Sequence, residues 1–216
     1  VRFVGAVGAD AFADEALAGL RDAGVALELG QGDATGVAVI LVDAEGENVI
    51  VVAPGANAQV GRVDAARNVL SQLEVSDETV VSAAESADRF FLNAAPARPI
   101  PPEVVRAAEL VVVNRYELDS LPETPRLLAL TLGAAGAVLI EDGHEVARAA
   151  APPVQAVDGT AAGDSFTACL VVSLLEERDR EEALRRACAA GAIAASRAGA
   201  QPSLPTAAEV DEMLRA

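Results

Sequence analysis

Asp158 and Asp164 bracket the run Gly159-Thr160-Ala161-Ala162-Gly163, and a long apolar segment begins immediately afterwards. Small side chains from Thr160 to Gly163 let backbone N–H groups approach a ligand closely. A helix starting near Ser165 adds partial positive charge at its first turn. Together they make an anion hole suited to a transferring phosphoryl group. Asp164 stands at the mouth of that hole. There the helix dipole predicts an ionised carboxylate able to accept a proton from an attacking hydroxyl. By residue type alone Asp164 serves equally well as an N-cap, a position that favours Asp.

These residues need a frame. Phe166, Ala168, Cys169, Leu170, Val171, Val172, Leu174 and Leu175 are apolar on nearly every face, which predicts a helix buried between layers. Upstream, strand and helix signals alternate. Residues 1–8 read as a strand running into a glycine turn, and residues 10–24 as an amphipathic helix with Asp10 as N-cap and Gly24 past its end. Residues 35–43 and 48–53 are β-branched runs about the turn signal Ala44-Glu45-Gly46-Glu47, which predicts a hairpin. Residues 69–75, 89–95 and 110–114 read as buried parallel strands, with helices over 78–87 and 101–110 between them, the second opened by proline. Apolar runs at 127–133 and 136–142 follow, His144 falls in a turn, and helices over 180–197 and 207–214 close the chain. The alternation predicts a doubly wound three-layer α/β sandwich, Rossmann-like, with a mainly parallel sheet and the hairpin as an excursion.

The bulk numbers fit one substantial domain, or one with a small appendage, and the chain reads as a single domain over residues 1–216. With 52% hydrophobic and 23% charged residues, disorder is excluded. No apolar run approaches the roughly 20 residues of a membrane span, and no secretory signal opens the chain. A formal net charge of −17 argues against nucleic-acid and anionic-membrane partners. The basic residues are all arginine, which reads as compositional bias. Cys169 and Cys188 lie in apolar helical patterns and read as buried free thiols of a cytoplasmic protein.

Val157-Asp158-Gly159-Thr160-Ala161-Ala162-Gly163-Asp164-Ser165-Phe166 resembles the C-terminal signature of the ribokinase-like, pfkB-type carbohydrate kinases. Other segments agree in order: the first glycine turn at 4–10, the hairpin at 35–50, Gly55–Ala58, Gln72–Glu74, Leu92–Ala97, Asn114–Glu117, Thr131–Ala137 and Ala198–Pro205. The resemblance spans essentially the whole chain and leans to the ribokinase branch over fructokinases and adenosine kinases.

It implies an ATP-dependent sugar kinase that phosphorylates D-ribose at its 5-hydroxyl. Asp164 would be the base and contact the sugar, with Ala161, Ala162 and Gly163 as the anion hole. Asn114 and Glu117 would face the phosphates, Glu117 also meeting Mg²⁺ through water. Thr131, Gly133 and Gly136 would line the ATP, and Cys188 falls where the family often has His or Asn beside the adenine. Glu74 would hold the ribose. Asp158, the carbonyls of Thr160, Ala194, Arg197 and Gly199, and the Ser203 hydroxyl would form a monovalent-cation site. All are hard oxygen ligands, suited to K⁺. Residues about 34–53 would contribute a small β-lid and, through it, a homodimer.

Three departures accompany the resemblance. Gly159 replaces the usual Thr. The family's N-terminal segment, with an Asp and a Gly-Gly-Lys-x-Ala-Asn motif that grips the sugar, has no match, so the domain reads as N-terminally incomplete. The connections over 59–68 and 115–126 are short for parallel crossovers. In isolation Asn114–Glu117 also reads as a helix start with a surface Glu, and Thr131–Ala137 as a tight strand-to-strand turn. A non-catalytic nucleotide-binding or dimerisation module on the same fold stands as a rival, as does a kinase for another sugar or a nucleoside. A dinucleotide-binding oxidoreductase ranks last, because residues 4–10 lack the full glycine spacing.

Overall fold

β-Branched and aromatic runs set most of the strands, and the lengths of the connections between them set their directions. The computed structural model describes residues 1–42 and 48–215. These fall into two compact units, Val1–Ala65 with Leu73–Ser86, and Ala66–Gln72 with the chain from Ala87 onward.

In the first unit β1 (Arg2–Gly8) pairs in parallel with β2 (Ala26–Gly32), and α1 (Ala11–Asp22) crosses between them. Asp10 caps α1 as expected, accepting a hydrogen bond from the Ala13 N–H. β2 has no β-branched residue and carried no strand signal; its pairing with β1 defines it. β3 (Val37–Val42) and β4 (Asn48–Ala53) pair antiparallel from Val37↔Ala53 to Val42↔Asn48, as the hairpin reading requires. The turn predicted at residues 44–47 lies outside the described residues. α2 (Asp77–Ser86) completes the unit.

The second unit is built on a six-stranded sheet in the order β10-β9-β8-β7-β6-β5. β5 (Ala66–Ser71), β6 (Ala87–Asn93), β7 (Ala108–Val113) and β8 (Leu127–Thr131) run parallel, whereas β9 (Ala137–Glu141) and β10 (His144–Ala149) are antiparallel to their neighbours. The antiparallel edge follows from chain length: Leu132–Gly136 and Asp142–Gly143 are too short for a crossover helix. Asp142 and Gly143 turn with φ of 50° and 80°, the left-handed pair of a tight hairpin. His144 therefore opens β10 instead of lying in the turn. β5 sits earlier than the apolar run at 69–75 indicated. It is an edge strand, with Leu70 44% exposed, and not a buried one. The short stretch from Asn114 to Arg126 still joins parallel strands, crossing over with one 3₁₀ turn at Leu118–Ser120.

α4 (Ala162–Leu175) and α5 (Arg180–Ala195) cover one face of this sheet. Phe166, Leu170, Leu184 and Ala187 pack into a core with Phe91, Leu110, Val112 and Leu139. Alternate residues of a strand point to opposite faces, so Val111 and Val113, also buried, serve the other side. α3 (Pro102–Ala107), opened by proline, packs against β7 with Val104 and Val105 buried. Truncating a fully buried side chain such as Leu170 to Ala costs about 2–5 kcal/mol, which measures how firmly this core holds α4. α4 is not enclosed on every side, however: Val172 is half exposed. α6 (Ala207–Met213) starts at a capping box of Thr206 and Glu209 and lays Val210 against Ala189, Ala190 and Ile193 of α5.

Among the described residues no helix is long and apolar enough to cross a membrane. Both cysteines are free, as expected; Cys188 is buried and Cys169 half-buried.

Candidate active site

The chain enters α4 through Ala161, whose backbone is left-handed at φ 59°. That conformation costs a non-glycine residue roughly 1 kcal/mol, and such strain clusters at functional sites. Ala161 is the N-cap and supplies no side-chain hydrogen bond, so Asp164 lies inside the first turn and the capping role falls away. The Ala162 N–H donates to the Gly159 carbonyl at 3.2 Å, closing the turn on itself. Gly163 and Asp164 belong to the first helical turn, where N–H groups have no partner within the helix.

The Asp164 carboxylate meets a group that the sequence reading passed over. Asn93, the last residue of β6, donates from Nδ2 to Asp164 Oδ1 at 3.2 Å. Asp164 is an exposed residue, yet the protein around its carboxyl removes part of the hydration. Burial pushes its pKa above the ordinary aspartate value, and the Asn93 hydrogen bond pulls the other way with smaller effect. Desolvation thus works against the helix dipole, which favours the ionised carboxylate. A carboxylate with raised basicity is better suited to accept a proton.

Asn114 follows β7 directly and forms a closed pair with Glu117. The Asn114 N–H donates to Glu117 Oε2 at 2.7 Å and its Nδ2 donates to Oε1 at 2.8 Å. The N–H groups of Tyr116 and Glu117 return bonds to Asn114 Oδ1. Glu117 is therefore a buried carboxyl in a turn, not a surface residue at a helix start. Desolvation raises its pKa, with the negative charge of Asp164 adding a smaller push in the same direction. Asn93, Asn114 and Asp164 thus converge at the carboxyl ends of β6 and β7, the position where open α/β sheets bind ligands.

Thr131 ends β8, its Oγ1 donating to the Val113 carbonyl at 3.3 Å. Gly133 and Gly136 frame a 3₁₀ turn between antiparallel strands. At Gly136, φ is 95° and a Cβ would lie 2.0 Å from the Ala149 carbonyl oxygen, so only glycine fits.

A model of the pfkB family carbohydrate kinases matches residues 1–207. The chain belongs to this family. It is 35% identical to a ribokinase of Bacillus subtilis over 242 residues, covering 99% of this chain and 81% of that protein. A ribokinase of Schizosaccharomyces pombe is 32% identical, with 98% and 78% covered. Among solved structures, a ribokinase from Thermotoga maritima superposes with a TM-score of 0.88 at 28% identity, over all of this chain and 81% of that one. An Arabidopsis thaliana ribokinase complexed with ribose and ATP gives 0.86 at 26% identity, with 99% and 81% covered.

Within this pfkB kinase chain hydrogen bonds join the two segments that carry the residues expected to ligate a cation. Asp158 Oδ1 accepts from the Thr160 N–H at 2.9 Å and the Thr160 hydroxyl at 2.6 Å, and Oδ2 accepts from the Gly199 N–H at 2.9 Å. The Val157 and Asp158 N–H groups both donate to the Ala195 carbonyl. The Ala194 carbonyl accepts from the Arg197 N–H, and the Ser203 hydroxyl donates to the Ala200 carbonyl at 2.7 Å. One carboxylate amid carbonyl and hydroxyl oxygens fits a hard monovalent cation better than a transition metal. Among the described residues no group of three or more His, Cys, Asp or Glu is arranged to hold a metal ion.

Two further expected site residues are Cys188 and Glu74. Cys188 is 4% exposed, with Sγ 3.9 Å from the Ala149 carbonyl oxygen, and burial pushes its thiol up to about 11. It packs in the core with Leu184 and Ala187 of α5. Glu74 belongs to the other compact unit, exposed in a bend before α2. Asn93 had one signal in the sequence: an amide ending an otherwise apolar strand run.

Proposed function

We propose that this pfkB kinase transfers the γ-phosphoryl group of ATP to the 5-hydroxyl of D-ribose, with Asp164 as general base. The observation that carries the reading is the Asp164 carboxylate. Burial raises its basicity and Asn93 binds it, at the start of a helix whose Gly163 and Asp164 N–H groups have no partner within the helix. Identities of 35% and 32% to ribokinases over nearly the whole chain support ribose as the acceptor.

In this reading Asp164 takes the proton of the attacking hydroxyl as the oxygen approaches phosphorus. The backbone of Ala161–Gly163 meets the charge that spreads over the transferring group. Asn114 holds the Glu117 carboxylate in one orientation, and Glu117 would meet Mg²⁺ carried with ATP through water. That ion would neutralise phosphate charge. Thr131, Gly133 and Gly136 line the nucleotide side, and Glu74 holds the sugar. Asp158, Thr160, Ala194, Arg197, Gly199 and Ser203 would hold K⁺ through oxygen ligands. The β3–β4 ribbon acts as a lid and a dimer contact; Val39, Val51 and Val52 are more than half exposed on it.

A second acceptor is favoured by one finding, 29% identity to a deoxyribokinase of Salmonella typhi over 96% of this chain. The test is ADP release from ATP and Mg²⁺ with ribose, 2-deoxyribose, fructose and adenosine compared side by side. Ribose should give the highest kcat/KM. Release that no sugar raises above the ATP-only background would overturn the kinase reading in favour of a non-catalytic module.

A further inference from the structure

We propose that Asn93 is a positioning residue for Asp164, binding one carboxylate oxygen so that the other is presented to the substrate hydroxyl. The inference rests on Asp164 being the general base. Asn93 is suited to the task by where it sits. Phe90, Phe91 and Leu92 before it and Ala94 after it are at most 2% exposed. Asn93 pairs with Val112 across the β6–β7 ladder, and the Ala94 N–H donates to the Val112 carbonyl at 2.9 Å. The backbone is pinned on both sides of the amide.

Asp164 has no such anchor of its own. It follows the left-handed Ala161 at the start of a helix, and among the described residues the hydrogen bond to its carboxylate comes from Asn93, 71 residues away in sequence. Without that bond the carboxylate is free to turn about χ2, and a base that points the wrong way part of the time loses near-attack geometry.

The chemistry of the partner matters as much as its place. An amide is a neutral donor: it orients a carboxylate without forming an ion pair. An Arg in its place would fix the geometry and also drain the basicity that proton abstraction needs. Among the described residues the charged group near Asp164 is Glu117, from the turn after β7, a carboxyl of like sign that offers Asp164 no ion pair. Asn93 can neither take the proton nor compete for it, so the proton from the hydroxyl ends on Asp164.

The test compares Asn93→Leu, which deletes the amide at similar volume, with Asn93→Asp, which keeps the shape and replaces the donor by a carboxyl. Two readouts separate positioning from mere support of the fold: kcat and KM against pH, and the ¹³C titration of the Asp164 carboxyl carbon. That resonance is identified by its loss in Asp164→Asn. Asn93→Leu should lower kcat about tenfold or more while changing the KM for ATP less than about threefold. The acid limb of kcat and the carbon titration should both move to higher pH, and Asn93→Asp should move the titration further still. If either variant folds with the Asp164 titration and the kcat limb both at their wild-type positions, the proposal is overturned. Near-normal turnover in Asp164→Asn would instead defeat the base reading, whatever the carbon titration shows.

Discussion

The Gly199 N–H donates to Asp158 Oδ2 at 2.9 Å, joining the loop that enters α4 to the loop that leaves α5. Hydrogen bonds from Thr160 come first among the causes that hold the Asp158 carboxyl below the usual carboxylate range, with the Gly199 bond adding to them. Asp158 thus keeps its charge to lower pH than an ordinary aspartate where two loops meet, and its loop continues directly into the Ala161 turn. A cation bound there would order the N–H groups of that turn. K⁺ should therefore activate ADP release well beyond equal concentrations of Na⁺ or choline, and Asp158→Ala should erase the difference. Equal rates in the three salts at fixed ionic strength would remove the cation site.

Replacing Asp164 by Asn keeps the shape of the first turn of α4 and removes the base. Turnover should fall by roughly 10²–10⁴-fold, the usual contribution of a positioned general base. Nucleotide affinity, measured by calorimetry, should change little because the backbone donors survive. Near-normal kcat in this variant would leave Asp164 a residue of the helix start and no more.

The pH dependence has a defined sign. Desolvation raises the folded-state pKa of Asp164 above its ordinary 3.8, and the base must be deprotonated to work. The acid limb of kcat should therefore lie above that value. A raised carboxyl pKa also means that the folded chain holds this proton more tightly than the unfolded chain does. Its contribution to stability is present below the unfolded pKa and lost as pH rises through the folded one. Asp164→Asn should then raise Tm at pH 7 relative to wild type, and the gain should shrink towards pH 4. A gain that is constant with pH would show that the carboxyl is not perturbed.

Gly191 of α5 faces the Ala162 carbonyl so closely that a Cβ there would lie 3.1 Å from the oxygen. In Gly191→Ala, better helix propensity contributes about 1 kcal/mol of stability, which the crowding offsets in part. The oxygen must retreat by a few tenths of an ångström, carrying the turn that would hold the transferring phosphoryl group. Tm should shift only slightly while kcat falls severalfold. Parallel losses in both would mean that α5 supports the fold and not the geometry of that turn.

Much of this could be read from local sequence because the causes are local. Asp10 sits before an amphipathic run, proline opens α3, and an apolar stretch after a small-residue turn marks α4; each is set by residues within a few positions. The convergence of a carboxylate, a small-residue turn and a helix start at residues 158–164 belongs to the same class. Strand partnership does not. β2 lacks a strand composition and exists because β1 offers it a ladder, and the β8–β9–β10 edge is antiparallel because its connections leave no room for a crossover.

The electrostatics of the site were the least legible part. Helix position alone assigns Asp164 an easily ionised carboxyl, while the surrounding protein raises its pKa. Glu117 looked like a surface residue and is a buried one that Asn114 grips with both backbone and side chain. The burial of the Cys188 thiol likewise comes from packing. Asn93 gained its role only when β6 ended beside the first turn of α4. A residue's type and its near neighbours determine what it can donate or accept. Its solvation and its distant partners are fixed by packing, so the chemistry offered at residues 158–164 belongs to the sequence and the tuning of Asp164 to the tertiary structure.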